Sequence, residues 1–265
     1  AIYGAHSTSY FYESDWFYNT NKKRQIDTLM QNFHRYNFVQ RNHNDLQDLG
    51  NLATAGRRIY YQAPSQIGVR LGITAFDYLL TQSEEIKYYD TKSPHSSWYL
   101  VLGGQGRSFL DASLAQNINP RVNVGFRYRR LTNKLLLGTK KENNNDRQAD
   151  FQDVLLHTSI ESANGRYKLM ANFSGARQKL LETGGLSYAD TLTDLRKLYD
   201  LEQGELTNNL TNADGLYQRS KFHLYHQFSL VDSSNFQVFH EFNQTYIKSS
   251  FADASVDQLA CVLRS

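Results

Sequence analysis

The histidines are the residues whose types and spacing come nearest to a metal site. His223 and His226 are three apart, and His34 and His43 are nine apart. Residues three apart on a strand point to opposite faces, so the first pair does not chelate one ion unless the chain bends. The single cysteine, Cys261, excludes an internal disulfide and a cysteine-based metal centre. We therefore predict no metal site.

The sequence motifs indicate neither a catalytic nucleophile nor a phosphate-binding loop. No G-x-S-x-G nucleophile motif is present. The glycine-rich run 103–106 leads into a strand pattern, whereas a phosphate-binding loop leads into a helix N-terminus. We therefore expect a non-enzymatic protein with no catalytic residues and no cofactor. An enzyme built on a β-barrel, such as a lipase or protease, is the weaker alternative.

A set of charged and polar side chains recurs on the non-apolar rows of the strand patterns. If these rows line a channel, their excess of positive charge favours anions by raising the local anion concentration. The alternatives are a solvated face of a soluble sheet, or charges that pair with one another. The residues predicted to face the lumen are Arg70, Asn123, Arg127, Arg129, Arg166, Lys168, Lys221 and Glu241.

The elements that must position these rows are strands with period-two alternation. In residues 122–129 Val122, Val124, Phe126 and Tyr128 alternate with polar residues or glycine, which gives one apolar and one polar face. Similar patterns occur at 66–76, 98–102, 108–116, 154–160, 167–173, 222–230 and 236–246, and a short extra strand is possible at 86–90. The pattern predicts an all-β protein of about eight visible antiparallel strands, or nine with the extra one.

The connections between these strands alternate in length. Short turns at 117–120, 163–165 and 232–235 alternate with long polar stretches at 132–151 and 178–218. Transmembrane barrels have short periplasmic turns and long extracellular loops, so this order favours a transmembrane β-barrel over a soluble sandwich. The long connector at 77–96 breaks the rule.

Two regions follow from these patterns. Residues 1–62 form an irregular, aromatic-rich segment that either plugs the lumen or lies in the periplasm. Residues 63–265 form the barrel strands, with long extracellular loops at 132–151 and 178–218.

Composition narrows the function classes. The 265 residues carry a formal charge of +3, which gives no reason to expect nucleic acid as a partner. Aromatic residues make up 13% of the chain, as barrels with aromatic girdles require, although tyrosine is also a common strand residue. No run of about 18 apolar residues is present, so no transmembrane helix is predicted.

Several stretches also carry a family resemblance. They include YGAHSTSYFYESDWFYN (3–19), IDTLMQNFHRYNFVQRN (26–42), QDLGNLATAGRRIYY (47–61), PSQIGVRLGITAFD (64–77), IKYYDTKSP (86–94), NINPRVNVGFRYRRL (117–131) and NGRYKLMANFS (164–174). In these motifs the chain resembles the putative porin family of Bacteroidota outer membranes. The resemblance implies an outer-membrane β-barrel with a diffusion-pore role and supplies no catalytic residues. Family members are longer, and this chain ends DQLACVLRS without a terminal aromatic strand, so we expect a fragment of an incomplete barrel.

Three functions remain open at this point. The leading prediction is a porin-like barrel in the cell outer membrane of a Gram-negative, Bacteroidota-type bacterium, allowing passive diffusion of small polar solutes. The alternative is a closed, plugged barrel that acts as a scaffold or subunit of an outer-membrane complex. The third is a soluble β-sandwich that binds glycans. The expected partners are outer-membrane lipid and either envelope complex subunits or further copies of the chain.

Overall fold

Antiparallel strands make up most of the chain. The computed structural model describes residues 7–27, 34–39, 45–61, 63, 72–104, 106–135, 147–185, 208–210, 212–230, 236–253 and 256–264, the last range by its backbone alone. Among these residues, no helix has the length and apolar character needed to cross a membrane.

The N-terminal part forms short elements. They are β1 (Thr8–Phe11), α1 (Glu13–Phe17), β2 (Arg24–Gln25), β3 (Leu46–Asp48), β4 (Gly56–Arg58), two 3-10 turns (Asp77–Leu79 and Ser83–Glu85) and β5 (Tyr88–Thr91). Strands β2, β1 and β5 make a three-stranded antiparallel sheet, and β3 pairs with β4. We call the described residues from 7 to 94 the N-terminal segment.

The remaining strands form one large antiparallel sheet in chain order. They are β6 (His95–Leu102), β7 (Ser108–Asn119), β8 (Val122–Lys134), β9 (Arg147–Glu161), β10 (Tyr167–Glu182), β11 (Ala213–Ser229), β12 (Gln237–Asp253) and β13 (Val256–Arg264). Each strand pairs with the next, and β6 and β13 are the edges of the sheet among the described residues. The prediction of an all-β, antiparallel fold is therefore confirmed, although the described strands do not close into a barrel.

Two tight turns lie where the turn-forming residues of the sequence predict them. Pro120 and Arg121 connect β7 to β8, and the Asn164-Gly165 pair connects β9 to β10 with Gly165 at φ +68°. Glycine adopts this left-handed conformation without a steric cost. Both hairpins are therefore set by local sequence.

Three strand predictions were wrong in part. Of the strand predicted at 66–76, residues 66–71 lie outside the described residues, and Gly72 to Phe76 are not strand. The short strand predicted at 86–90 exists as β5, but it pairs with β1 instead of joining the large sheet. The C-terminal strand β13 was missed, because its apolar residues alternate poorly.

The strands run further than their apolar patterns suggested. β8 ends at Lys134 and β9 begins at Arg147, while β10 ends at Glu182 and β11 begins at Ala213. The long connections are thus 135–146 and 183–212. Among the described residues the large sheet begins at His95, and the domain boundary at residue 62 stays a prediction.

The large sheet has two different faces. The covered face packs against the N-terminal segment, and its core contains Phe109, Leu131 and Phe151 from the sheet with Phe38 and Leu79 from the segment. Burying one such side chain contributes about 1.5–3 kcal/mol. The opposite face, which we call the open face, carries the exposed apolar rows. The covered face therefore holds the candidate site.

Candidate lumen and the segment that fills it

One partly buried and one buried ion pair occupy the covered face of β7, β8 and β9. Arg127 makes a bidentate pair with Asp111 on the neighbouring strand. Arg129 lies 3.2 Å from Asp153, and both side chains are almost fully buried. A buried charge is tolerated only when it is paired and hydrogen-bonded, so these residues stabilise one arrangement of the face.

Arg129 also ties the sheet to the N-terminal segment. It donates to the carbonyl oxygen of Leu79 and to Oγ1 of Thr81, which in turn donates to Asp153 at 2.6 Å. From β11, Arg219 donates to the carbonyl oxygen of Thr81 at 2.6 Å. Two arginines on non-adjacent strands thus converge on residues 79–81.

Amide side chains make a second set of links. Gln178 on β10 donates to the carbonyl oxygen of Ala53 at 2.7 Å, and Asn172 donates to the Tyr88 hydroxyl at 3.0 Å. Asn51 donates to Gln148 at 2.6 Å. These bonds satisfy polar groups that the segment buries, which otherwise cost about 1–3 kcal/mol each.

Helix α1 is held at the other end of the covered face. A 2.6 Å hydrogen bond joins Glu13 to His223, whose other ring nitrogen lies 2.7 Å from Asn243. Lys168 donates to Asn21 at 3.0 Å and lies over the Trp16 ring. Contacts from β10 and β11 therefore fix this helix, and Asn243 on β12 orients His223.

Asp15 stabilises the segment internally. It pairs with Arg24 and accepts a 2.8 Å bond from the Tyr12 amide, while Thr20 also donates to it. The Arg24 hydrogen bond holds the pKa of the Asp15 carboxyl below its usual value, with the Tyr12 amide and Thr20 acting in the same direction. Burial raises the pKa of Tyr88, despite its bond from Asn172. The segment is thus a packed element with its own polar core.

The predicted lumen residues lie mostly on this covered face. Asn123, Arg127, Arg129, Lys168 and Lys221 are buried or partly buried there, and Glu241 belongs to the same face with its side chain 48% exposed. Arg166 is in the turn before β10, where its carbonyl accepts a bond from the Ser229 amide. Arg70 lies outside the described residues. That these residues line a lumen stays a prediction.

Other residues of the site were not singled out by their spacing. Glu13, Thr81 and Gln178 make central contacts, yet their partners are 48 to 210 positions away in the chain. Local periodicity carries no signal for such pairs. In the sequence, only the polar row of each strand indicated which face would hold these contacts.

The open face carries an apolar band. Across β8 to β12, cross-strand rows connect Phe126, Leu156, Phe173 and Phe222, and Val124, Thr158, Ala171, Leu224 and Phe242. Polar residues begin at Arg130 on β8, Gln152 on β9, Arg177 on β10, Ser220 on β11 and Gln244 on β12. The band therefore has a sharp edge towards the end of the sheet that carries the long connections.

This edge crosses the sheet obliquely. On β7 the last apolar residue before the edge is Leu110, which pairs in register with Arg130 of β8. On β12 it is Phe242, which lies in the same cross-strand row as Val124 of β8. The edge therefore shifts by six residues over five strand-to-strand steps. With about 3.4 Å per residue and about 4.8 Å between strands, the slope corresponds to a tilt of about 40°. Strands of membrane barrels are tilted by about 35–45°. The band thus has the geometry of a tilted barrel wall.

The histidines do not gather into a metal centre. His223 is on the covered face and His226 on the open face, where it lies 3.2 Å from His240. Among the residues whose side chains are described, no group of three histidine, cysteine, aspartate or glutamate side chains is placed to hold a metal ion.

Of the comparisons with known proteins, one found a match, to a protein family. No curated protein and no solved structure matches the chain. The family model described as a putative porin matches residues 8–263, which includes the N-terminal segment and nearly all of the large sheet. This match indicates a porin-like protein. The chain belongs to the putative porin family.

Proposed function

We propose that the protein is a porin-like β-barrel in the outer membrane of a Gram-negative, Bacteroidota-type bacterium, and that small polar solutes diffuse past its N-terminal segment. The observation that carries the proposal is the contrast between the two faces of one sheet. The open face presents an oblique apolar band, and the covered face combines buried polar and apolar side chains that hold the segment. Membership of the porin family supports the same function.

The exposed apolar side chains favour lipid as their surroundings. Trp98 is 70% exposed, Leu100 59% and Leu102 73%, all on the open face of β6. Soluble proteins rarely expose a contiguous apolar surface of this kind. A glycan-binding sandwich would cover it with a second sheet, so that alternative is less favoured.

The two sheet edges bear on how the barrel is completed. An unpaired strand edge in lipid leaves backbone groups without partners, at a cost of several kcal/mol per group. We therefore propose that β6 and β13 pair with further strands, from a longer chain or from another copy.

The proposed route for solutes runs along the part of the covered face that the N-terminal segment covers least. Along β12, Glu241 and Asn243 remain exposed on the covered side, whereas the equivalent positions of β8 to β11 are mostly buried under the N-terminal segment. We place the route between the segment and β12.

The second candidate is a closed barrel that serves as a scaffold or subunit of an envelope complex. The convergence of Arg129 and Arg219 on residues 79–81 favours it, because such buried links resist displacement of the segment. Both candidates share the membrane setting and differ in conductance.

Planar-bilayer recording of the full-length protein tests the proposal, with a variant lacking residues 7–91 as the comparison. We expect small conductance steps from the intact protein and clearly larger steps from the variant. Equal steps in both proteins would show that the segment does not obstruct the lumen. Silence from the intact protein with clear steps from the variant would reject the open pore and leave the plugged barrel. Silence from both, at high protein load and with insertion verified, would reject both candidates.

A further inference from the structure

A cluster of cationic side chains lies on the open face just beyond the apolar band. Arg130 on β8, Gln152 on β9 and Arg177 on β10 form one cross-strand row, and Lys179 follows two residues after Arg177. The row is the first polar position after Tyr128, Val154 and Gly175 on the three strands. These residues are therefore where lipid headgroups would lie if the band is in a bilayer.

The acidic side chains nearby do not cancel this charge. Asp150 is bonded by Arg130 at 2.8 Å and by Arg147 at 3.1 Å and pairs in register with Lys179, so one carboxylate is shared among three cations. Asp214, the next carboxylate on this face, is paired in register with Leu181, beyond Lys179 and farther from the band. Arg177 and Lys179 are both exposed. The position next to the band is thus positively charged.

We propose that Arg130, Arg177 and Lys179 form a binding surface for anionic, phosphate-bearing lipid headgroups. The inference rests on the proposed membrane location of the open face. It goes further than that location, because the apolar band requires only acyl chains and accepts lipids with any headgroup. The cationic cluster, in contrast, favours a headgroup with a negative charge over a neutral one.

The chemistry of the cluster suits a headgroup phosphate. A guanidinium group matches two phosphate oxygens, and a lysine adds a mobile point charge. Arg130 and Arg177 are two strands apart, about 10 Å, which leaves room for a headgroup between them over Gln152. The Gln152 amide can donate there as well.

The test uses spin-labelled lipids with the full-length protein in phosphatidylcholine vesicles. Lipids touching the protein give a motionally restricted spectrum, so the restricted fraction of a labelled phosphatidylcholine reports membrane insertion. The ratio of association constants for labelled phosphatidylglycerol and labelled phosphatidylcholine reports headgroup preference. We expect a preference of about fivefold, which corresponds to the roughly 1 kcal/mol of one basic side chain at an anionic surface.

Two variants separate the cluster from overall charge. R177Q/K179Q should lower the preference to about one, and K22Q/K23Q, which removes the same charge from exposed residues of the N-terminal segment, should leave it near fivefold. Rising salt should weaken the wild-type preference, since exposed charges are screened.

The outcomes are distinguishable. Restricted phosphatidylcholine without any preference for phosphatidylglycerol would overturn the binding surface and leave the membrane protein standing. An equal loss of preference in both variants would do the same. Absence of a restricted component for either lipid would overturn the membrane location and the binding surface with it.

Discussion

Replacing Leu156 by arginine should cost the membrane-inserted protein about 2–4 kcal/mol, the range for a charge near the bilayer midplane on the lipid-facing side of a barrel. Leu156 is 50% exposed on the open face and lies between Phe126 and Phe173 in register. The polar edge of the band is four residues away at Gln152, about 14 Å along the strand and about 10 Å along the normal of a strand tilted by 40°. An arginine side chain does not bring its charge that far without distortion.

The matched control is Gln152→Arg, on the same strand and the same face but beyond the edge. Its cost should be about 0–1 kcal/mol, as for a cation near the interface. Urea titration of folding into phosphatidylcholine vesicles, followed by the gel mobility of unheated samples, measures both free energies. Equal costs for the two variants, or a larger cost for Gln152→Arg, would refute the assignment of the open face to lipid.

Two further predictions concern the covered face. Arg129→Met should lower the free energy of unfolding by about 3–5 kcal/mol, because it leaves Asp153 as a buried unpaired charge. The control Arg130→Met, which breaks a more exposed ion pair, should lower it by less than about 1 kcal/mol. Similar losses for the two variants in the same urea titration would contradict the buried link. Because the folded pKa of Asp15 is depressed, its contribution to stability is present above the ordinary value near 4 and is lost as the pH falls through the folded pKa. The emission of Trp16, in a Trp98→Phe background, should therefore change below about pH 4 in the parent protein and lose this transition in Asp15→Asn; an unchanged acid transition would reject the role of Asp15.

The open face could be predicted from the sequence because its signal is local. Val122, Val124, Phe126 and Tyr128 repeat every second residue, and this period is the geometry of a strand. Where the pattern stops, the prediction also stopped. Residues such as Arg177 and Gln218 are polar on the open face while the strand continues, so the apolar pattern predicts β10 and β11 shorter than they are.

The contents of the covered face could not be predicted in the same way. The polar rows of the strands indicated where a lumen would be, but not that Arg129 and Arg219 are bonded to residues 79–81. Those bonds join residues far apart in the chain, and many combinations of arginine and carbonyl satisfy the same chemistry. The sequence therefore predicts the N-terminal segment either in the lumen or in the periplasm, and the structure puts its described residues on the covered face.

The central claim is that one face of the sheet meets lipid while the N-terminal segment lies on the other face. Tryptophan quenching by acyl chains brominated along their length tests it directly, because Trp98 is exposed on the open face and Trp16 is buried in the segment. With each as the only tryptophan of the full-length protein in vesicles, Trp98 should be strongly quenched and Trp16 should keep its emission. Quenching of Trp16 with Trp98 unaffected, or equal quenching of both, would contradict the claim.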